Sequence, residues 1–345
     1  MTAFLARRLM ETLITLFMVT LISFALSMVL PGDPVLALVG PEGASKEMLE
    51  VYRHELGFDQ PIYVQYLKWL GRVVRGDLGT SIRTRARVTT LFIQRLPVTL
   101  ELLVLGVVFA VLLAFPLGIM ASLRPNTWVD TTGTVLAVSG VAMPQFLLAM
   151  LLILVFSLWL GWFPSSGYVE PWRHLWKSIN SLILPAISLG FVVAAETMRQ
   201  LRSSMLEVLR DEYVQTARAK GLNEFSVITK HALRNALIPV VTVLGMRIGR
   251  LIGGLVIIEV VFSLPGIGQM LLNAVLFKDM PVLQSGVLLV ALAVTVMNLL
   301  VDISYSLIDP RIRCGLPLVF ALSAQEPRIP CATWWGSLNG GVQFM

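Results

Sequence analysis

Runs of apolar residues long enough to cross a bilayer recur along the whole chain, and they constrain its fold more than any other feature. A helix crosses the hydrocarbon core with about 20 apolar residues. Backbone polar groups there find no water, so the spans must be helices that satisfy their own hydrogen bonds. Six spans are predicted, at 9–30, 102–123, 131–159, 178–195, 236–262 and 280–301. The expected architecture is an all-α membrane protein of about six transmembrane helices.

Composition narrows the function. Charged residues make up 14% of the 345-residue chain, against about 25% in soluble domains, and mean hydropathy is +0.78. Too little polar sequence remains to cover an aqueous catalytic domain. The net charge of +6 has no folded basic domain to carry it, so basic cytoplasmic loops explain it better than nucleic acid does. Cys314 and Cys331 both lie near the C-terminus, leaving no cysteine to staple a loop.

Arg7 and Arg8 precede the first run, which ends in "VLPGDP" without a small-residue cleavage site. It is therefore predicted to be retained as a span, residues 1–30, that starts inside. Residues 31–97 form a partly helical extracytoplasmic region. Ser45 is a candidate cap for a helix carrying Met48, Leu49, Tyr52 and Leu56, closed by Gly57. Pro61 suits the first position of a second helix with Tyr63, Tyr66, Leu67, Leu70 and Val73 on one side. Nine bases against seven acids occupy this stretch, and the positive-inside tendency weakens in long translocated segments. Pro116 with Gly118 is read as a kink in the second span, and Pro144 lies inside the third.

With six spans and an inside start, both termini and the loop 196–235 are cytoplasmic. That loop holds Arg199, Arg202, Arg210, Arg218, Lys220, Lys230 and Arg234, as the orientation requires. From Arg199 to Lys220 good helix formers run unbroken, with Leu201, Met205, Val208 and Leu209 at helical spacing. Gly221 suits the left-handed residue that stops a helix, and Asn223 followed by Glu224 suits the start of the next. The loop reads as helix, glycine turn, helix. On these residues alone, an ordered connector carrying topogenic charge and a docking element are both open.

The stretch "YVQTARAKGLNEFSVITKHALRNALIPV" resembles the cytoplasmic loop of ATP-binding-cassette importer permeases of the dipeptide/oligopeptide family. "VLPGDP", "LGFDQPIYVQYLKWLGRVVRGDLGTS", "FSLPGIGQ" and "DPRIR" resemble the same family in order and spacing, covering residues 1 to about 313. The resemblance implies a type I importer permease fold with a core at 98–313. It also implies that residues 215–222 (Gln215, Thr216, Ala217, Arg218, Ala219, Lys220, Gly221 and Leu222) form a coupling helix seated in a groove of an ATPase subunit. The family signature has Glu-Ala-Ala, three residues, then glycine; Gln215 and Thr216 depart from it, while Ala217 and Gly221 keep it. Implied partners are a homologous second permease, two cytoplasmic ATPase subunits and an extracytoplasmic substrate-binding protein, with a peptide or similar solute as cargo. The expected location is the bacterial inner membrane, in contact with lipid. No phosphate-binding loop of the Gly-x-x-x-x-Gly-Lys-Ser/Thr type occurs, so ATP hydrolysis is expected on the partners. No metal site or cofactor is expected.

Within the fifth span, Gly245, Gly249 and Gly253 recur every fourth residue, a stripe that lets another helix approach closely. Arg247 and Arg250 share a different face. Arg247 lies 11 residues past Ala236, about 16 Å into a core of about 30 Å. Such charges face a cavity or a partner. One reading has them line the pathway and attract an anionic group such as a peptide carboxylate. The other pairs them with Glu259, Glu196 or Asp302, or has them snorkel to the interface. Glu259, the third pathway candidate, precedes an aromatic residue and "SLPG", where a structural hydrogen bond to the following loop is the favoured role. The alternative class, an ion-coupled secondary transporter, would show inverted repeats and matched broken helices, and no repeat is visible. An intramembrane enzyme has no support, since His54, His174 and His231 are far apart in predicted loops. The tail 314–345 departs from the family pattern, its apolar run is too short to span, and it is expected to be disordered.

Overall fold

The computed structural model describes residues 2–29, 50–51, 54 and 59–308. The predicted helix between Ser45 and Gly57, the "DPRIR" end and the 314–345 tail fall outside the described residues, apart from isolated positions. The described elements are helical: α1 Thr2–Val29, α2 Ile62–Val74, α3 Val88–Leu123, α4 Trp128–Ala142, α5 Gln145–Leu152, α6 Leu175–Val208, α7 Glu212–Ala219, α8 Glu224–Ser226, α9 Leu233–Val261, α10 Ile267–Leu276 and α11 Met280–Ile308. Widened π-type turns continue α5 over Ile153–Trp159 and join α8 to α9 over Val227–Ala232. Among the described residues four stretches are long and apolar enough to cross a membrane unaided, and α4 with α5 makes a fifth if the pair is one span.

The third predicted span is a broken one. Met143 is extended (φ −85°, ψ 125°) and the two halves meet at 109°, because the proline ring at position 144 clashes with a helical residue before it. Elsewhere proline is tolerated. Pro97 and Pro116 lie inside α3, and α3 begins at Val88, well before the apolar run that starts at 102. Tertiary packing explains the difference: Val88, Leu91, Phe92 and Leu96 bury against Ile267, Met270, Ala274 and Leu283 of α10 and α11. Likewise α6 runs on to Val208, past the predicted end of the fourth span, because Leu201 and Met205 are fully buried against Ala232, Ala236 and Val240.

The tightest helix pairing is α3 on α6. Gly106, Ala110, Ala114, Gly118 and Ala121 are buried along α3 at spacings of four, four, four and three, a small-residue face that brings backbones together. A Cβ at Gly190 would collide with the Gly106 carbonyl oxygen, and one at Gly118 would lie 3.1 Å from the Met198 carbonyl. Leu102, Leu182, Leu189, Leu255, Ile258 and Phe262 fill the space between α3, α6 and α9. Gly190→Ala should therefore cost about 1–3 kcal/mol by overpacking. Gly253→Ala, with nothing within 4 Å of the added carbon, should leave the thermal midpoint of the solubilised chain unchanged or raised. An unchanged midpoint in Gly190→Ala would show that the contact is not tight.

At one end of the bundle α2 lies across α1 and α11. Tyr66, Trp69, Leu70 and Val73 pack on Phe24 and Leu288, and Thr20 and Tyr66 share a hydrogen bond of 2.9 Å. Tyr63 and Leu67, predicted on the same face, are 68% and 61% exposed; the buried stripe is centred one turn further along. Beyond α2 the chain makes a knuckle against the α10–α11 junction. Ser81 Oγ donates to Asp279 Oδ2 at 2.5 Å, Ile82 N–H donates to Asp279 Oδ1 at 3.1 Å, and Ser285 Oγ donates to the Leu78 carbonyl at 2.8 Å.

Candidate functional site

Between α6 and α9 the chain folds as an elbow. The predicted single helix from Arg199 to Lys220 is two helices in the structure. The N–H groups of Arg210 and Asp211 turn back to the Glu207 and Val208 carbonyls, and Asp211 is extended at the start of α7 (φ −66°, ψ 144°). Folding back is favoured because Val214 and Ala217 then bury against Val208, Leu209 and Val227; a straight helix would leave them outside that cluster.

After α7, Gly221 takes φ +78° and its N–H bonds the Arg218 carbonyl at 2.9 Å. This is the left-handed turn its position predicts. Asn223 Oδ1 accepts from Phe225 N–H at 3.1 Å, capping α8 as expected. Arg218 Nε donates to Glu224 Oε1 at 2.7 Å across the turn. Both side chains are exposed, and exposed pairs contribute little, so the bond sets geometry more than stability. Gln215, Thr216, Arg218, Ala219, Lys220, Gly221 and Leu222 are exposed, and Ala217 alone of the eight candidates is buried. Gln215 Nε2 donates to the Arg210 carbonyl at 3.2 Å and Thr216 Oγ1 to the Glu212 carbonyl at 2.8 Å.

Two residues of the elbow escaped the sequence reading. Tyr213 Oη accepts from Asn235 Nδ2 at 2.7 Å and donates to the His231 carbonyl at 3.4 Å, tying α7 to the foot of α9. Phe225 is 74% exposed beside Leu222 at 43%, an apolar tip on a polar loop. The exposed aromatic was visible as an anomaly in a charged stretch; the Tyr213–Asn235 bond joins residues with no shared periodicity and left no signal.

Further along α9, Arg247 forms an ion pair with Glu196 of α6, with the side chains 26% and 14% exposed. Glu196 thus lies within a helix and against α9, one of the partners anticipated for Arg247, although the sequence placed it at the start of a loop. The side chains of Arg250 and Asp302 are outside the described residues. Of the glycine stripe, Gly245 is buried, Gly249 faces Asn298 of α11, and Gly253 has open space. Gly254, not singled out by its spacing, sits against Gln145 of α5 with no room for a Cβ.

At the far end of α9, Glu259 is fully buried. Thr99 Oγ1 donates to its Oε1 at 2.7 Å and Gln269 N–H to its Oε2 at 3.1 Å. Thr99 Oγ1 also accepts from Ile267 N–H at 2.9 Å. The carboxylate fills the space where a Cβ of Gly266 would lie, so it cross-links α3, α9 and the start of α10. Nearby, Tyr168 Oη donates to Glu101 Oε2 at 2.9 Å; burial, followed by the Glu101 carboxylate beside it, pushes the Tyr168 phenol well up from its ordinary range. Among the described residues no group of three or more His, Cys, Asp or Glu is placed to hold a metal ion.

Two family models match the chain: the binding-protein-dependent transport system inner membrane component over residues 114–313, and its N-terminal counterpart over residues 1–103. The glutathione transport system permease protein GsiC of Escherichia coli O6:H1 is 42% identical over 313 residues, spanning 91% of this chain and 99% of that protein. The di/tripeptide transport system permease protein DppB of Pseudomonas aeruginosa is also 42% identical, over 91% of this chain and 99% of its own length. Among solved structures, an amino acid ABC transporter with histidines is similar at a TM-score of 0.48 and 16% identity, over 65% of this chain and 94% of that one; at that distance the likeness carries no argument. The chain belongs to the family of binding-protein-dependent inner membrane components: it is a multi-pass, all-α ABC importer permease of the type I fold, a transport subunit and not itself an enzyme.

Proposed function

We propose that this permease is one membrane half of an importer for peptides or peptide-like solutes, and that the α7–Gly221–α8 elbow receives the stroke of an ATPase subunit. The observation that carries the reading is the elbow itself. Its exposed tip, Leu222 and Phe225, offers apolar surface to a partner groove, while Val214, Ala217 and Tyr213 fasten it to the feet of α6 and α9. A push on the tip would therefore move both helices together, the rigid-body displacement that alternating access requires. In this reading the elbow and both termini face the cytoplasm, and the assembly contains a second permease, two ATPases and a solute-binding protein. The peptide class is supported by the relatives named for glutathione and for di/tripeptides. Within that class, Arg247 and Arg250 are the candidates for drawing in a carboxylate, and Glu259 holds the opposite end of α9 in register.

The test is to purify the chain from its native membrane with whatever travels with it and reconstitute the complex. Expected are co-purifying ATPase subunits, ATP hydrolysis stimulated by the binding protein with di- or tripeptide, and uptake of labelled peptides that a sugar of similar size does not compete. Peptide-insensitive hydrolysis would refute the substrate class. Ion-driven uptake by the chain alone would refute the coupling role.

A further inference from the structure

Charge in the middle of a span is expensive, and this chain places two opposite charges there. Arg247 stands 14 residues from each end of α9, about 21 Å along the helix from either, and pairs with Glu196 of α6. Packing alone does not call for such a pair, since apolar residues of similar volume often hold two helices together as well or better. The pair is also incompletely covered: 26% and 14% of the two side chains remain exposed. Charge at that depth does not face hydrocarbon, so the uncovered part faces water or a polar surface.

The broken span passes beside the same pair. Gly140, near the end of α4, sits against Phe191 and Ala195 of α6, and Ala195 is the neighbour of Glu196 in the chain. Gln145, the first residue of α5, sits against Gly254. Gly254 is seven residues beyond Arg247, on the same face of α9 and about 10 Å further along. Between Gly140 and Gln145 the backbone is extended at Met143, and Pro144 has no N–H to return to the Gly140 carbonyl. Non-helical backbone at bilayer depth occurs only where protein buries it or where it lines a water-filled cavity. Ala142 and Pro144 are exposed, so within this chain the break lines a cavity, and the uncovered part of the ion pair is placed to border it.

We propose that Glu196 and Arg247 together recognise a zwitterionic solute, the α-ammonium group of a peptide taking the Glu196 carboxylate while its α-carboxylate takes the Arg247 guanidinium. The proposal rests on the peptide-importer reading given above and adds the ammonium site and the exchange of partners. Closed on itself, the pair leaves no uncompensated charge in an empty path. Opened, it offers each peptide terminus an opposite charge, and the total charge is zero in both states. A lone arginine would also hold a carboxylate, but it would stand uncompensated at mid-membrane once the solute had left. A peptide blocked at one end leaves one member of the pair without its replacement, and stranding one member of a largely buried pair is the costly case. Free termini at both ends are therefore the recognised feature.

The test is uptake by the reconstituted transporter of three labelled forms of one dipeptide: free, N-acetylated and C-amidated. The binding protein is saturated with each form so that capture does not limit the rate. Each chain is scored by its rates relative to its own rate with the free dipeptide, which cancels any loss of folded protein. The native chain should favour the free form about tenfold or more over each blocked form. Glu196→Gln should remove most of the penalty on acetylation and keep the penalty on amidation. Arg247→Met should do the reverse, and the double variant should lose both preferences. Unchanged ratios in the double variant would overturn the proposal and leave the pair a structural one. Single variants that change both ratios alike would also overturn it, since neither terminus would then belong to either residue. A native transporter that carries all three forms equally would overturn the proposal alone. One that carries none of them, while another solute stimulates its ATP hydrolysis, would overturn the functional reading and the proposal with it.

Discussion

Arg247→Met should destabilise the detergent-solubilised permease by about 1–3 kcal/mol, below the roughly 3–5 kcal/mol of a fully buried pair, because the two side chains keep 26% and 14% of their surface exposed. Glu196 is only 14% exposed in its side chain, so it would be left as an uncompensated charge between α6 and α9. Glu196→Gln should cost less, because Arg247 keeps a further interaction when Glu196 is neutralised. The double variant Glu196→Gln/Arg247→Met should cost less than the sum of the two, because neither charge is then stranded. Additive losses would show that the pair is not energetically coupled. The double variant also separates structure from selectivity, since it removes the charges with less damage to the fold. Loss of preference for free over amidated peptide termini in uptake assays would place Arg247 in the pathway. An unchanged preference assigns the pair to holding α6 against α9, twelve residues above the end of α6.

The helical class and the order of the apolar segments, the left-handed turn at Gly221 and the cap at Asn223 were all legible in the sequence, because each is set by local composition or local backbone chemistry. The limits of the helices were less so. Val88 starts α3 and Val208 ends α6 because buried contacts from distant elements extend them through polar or proline-containing sequence. Pro144 could be read as a disturbance, but whether a proline is carried inside a helix, as at Pro116, or breaks it depends on what packs against it. Side-chain partners follow the same division. Glu196 and Glu259 were both recognisable as acids needing explanation, yet only the fold shows that one meets Arg247 and the other Thr99 and Gln269. Periodicity of four marked Gly249 as a contact glycine, and the same spacing along Gly106, Ala110, Ala114 and Gly118 went unread because those residues sit in a run that is apolar on every side.

Gly221→Val should reduce peptide uptake about tenfold with little loss of folded protein. Nothing lies within 4 Å of the added Cβ, so the substitution makes no clash and leaves the helices themselves intact. Its cost is in the backbone: φ +78° is disfavoured for a residue with a side chain by about 1–2 kcal/mol, and more for a β-branched one. That cost falls on the elbow alone, and 1–2 kcal/mol changes a two-state ratio by about five- to thirtyfold. The α7–α8 angle would therefore relax into other arrangements, carrying Leu222 and Phe225 away from the place where a partner meets them. Asparagine tolerates the left-handed region, so Gly221→Asn should recover most of the uptake while adding a larger side chain at the same exposed spot. The measurement is uptake and ATP hydrolysis in the reconstituted complex, alongside the chain's thermal midpoint. Recovery by asparagine with failure by valine assigns the defect to backbone conformation. Equal failure of both would mean that the partner requires the bare backbone of Gly221 at the contact, and equal activity of both would remove the turn from the path by which the ATPase stroke reaches α6 and α9.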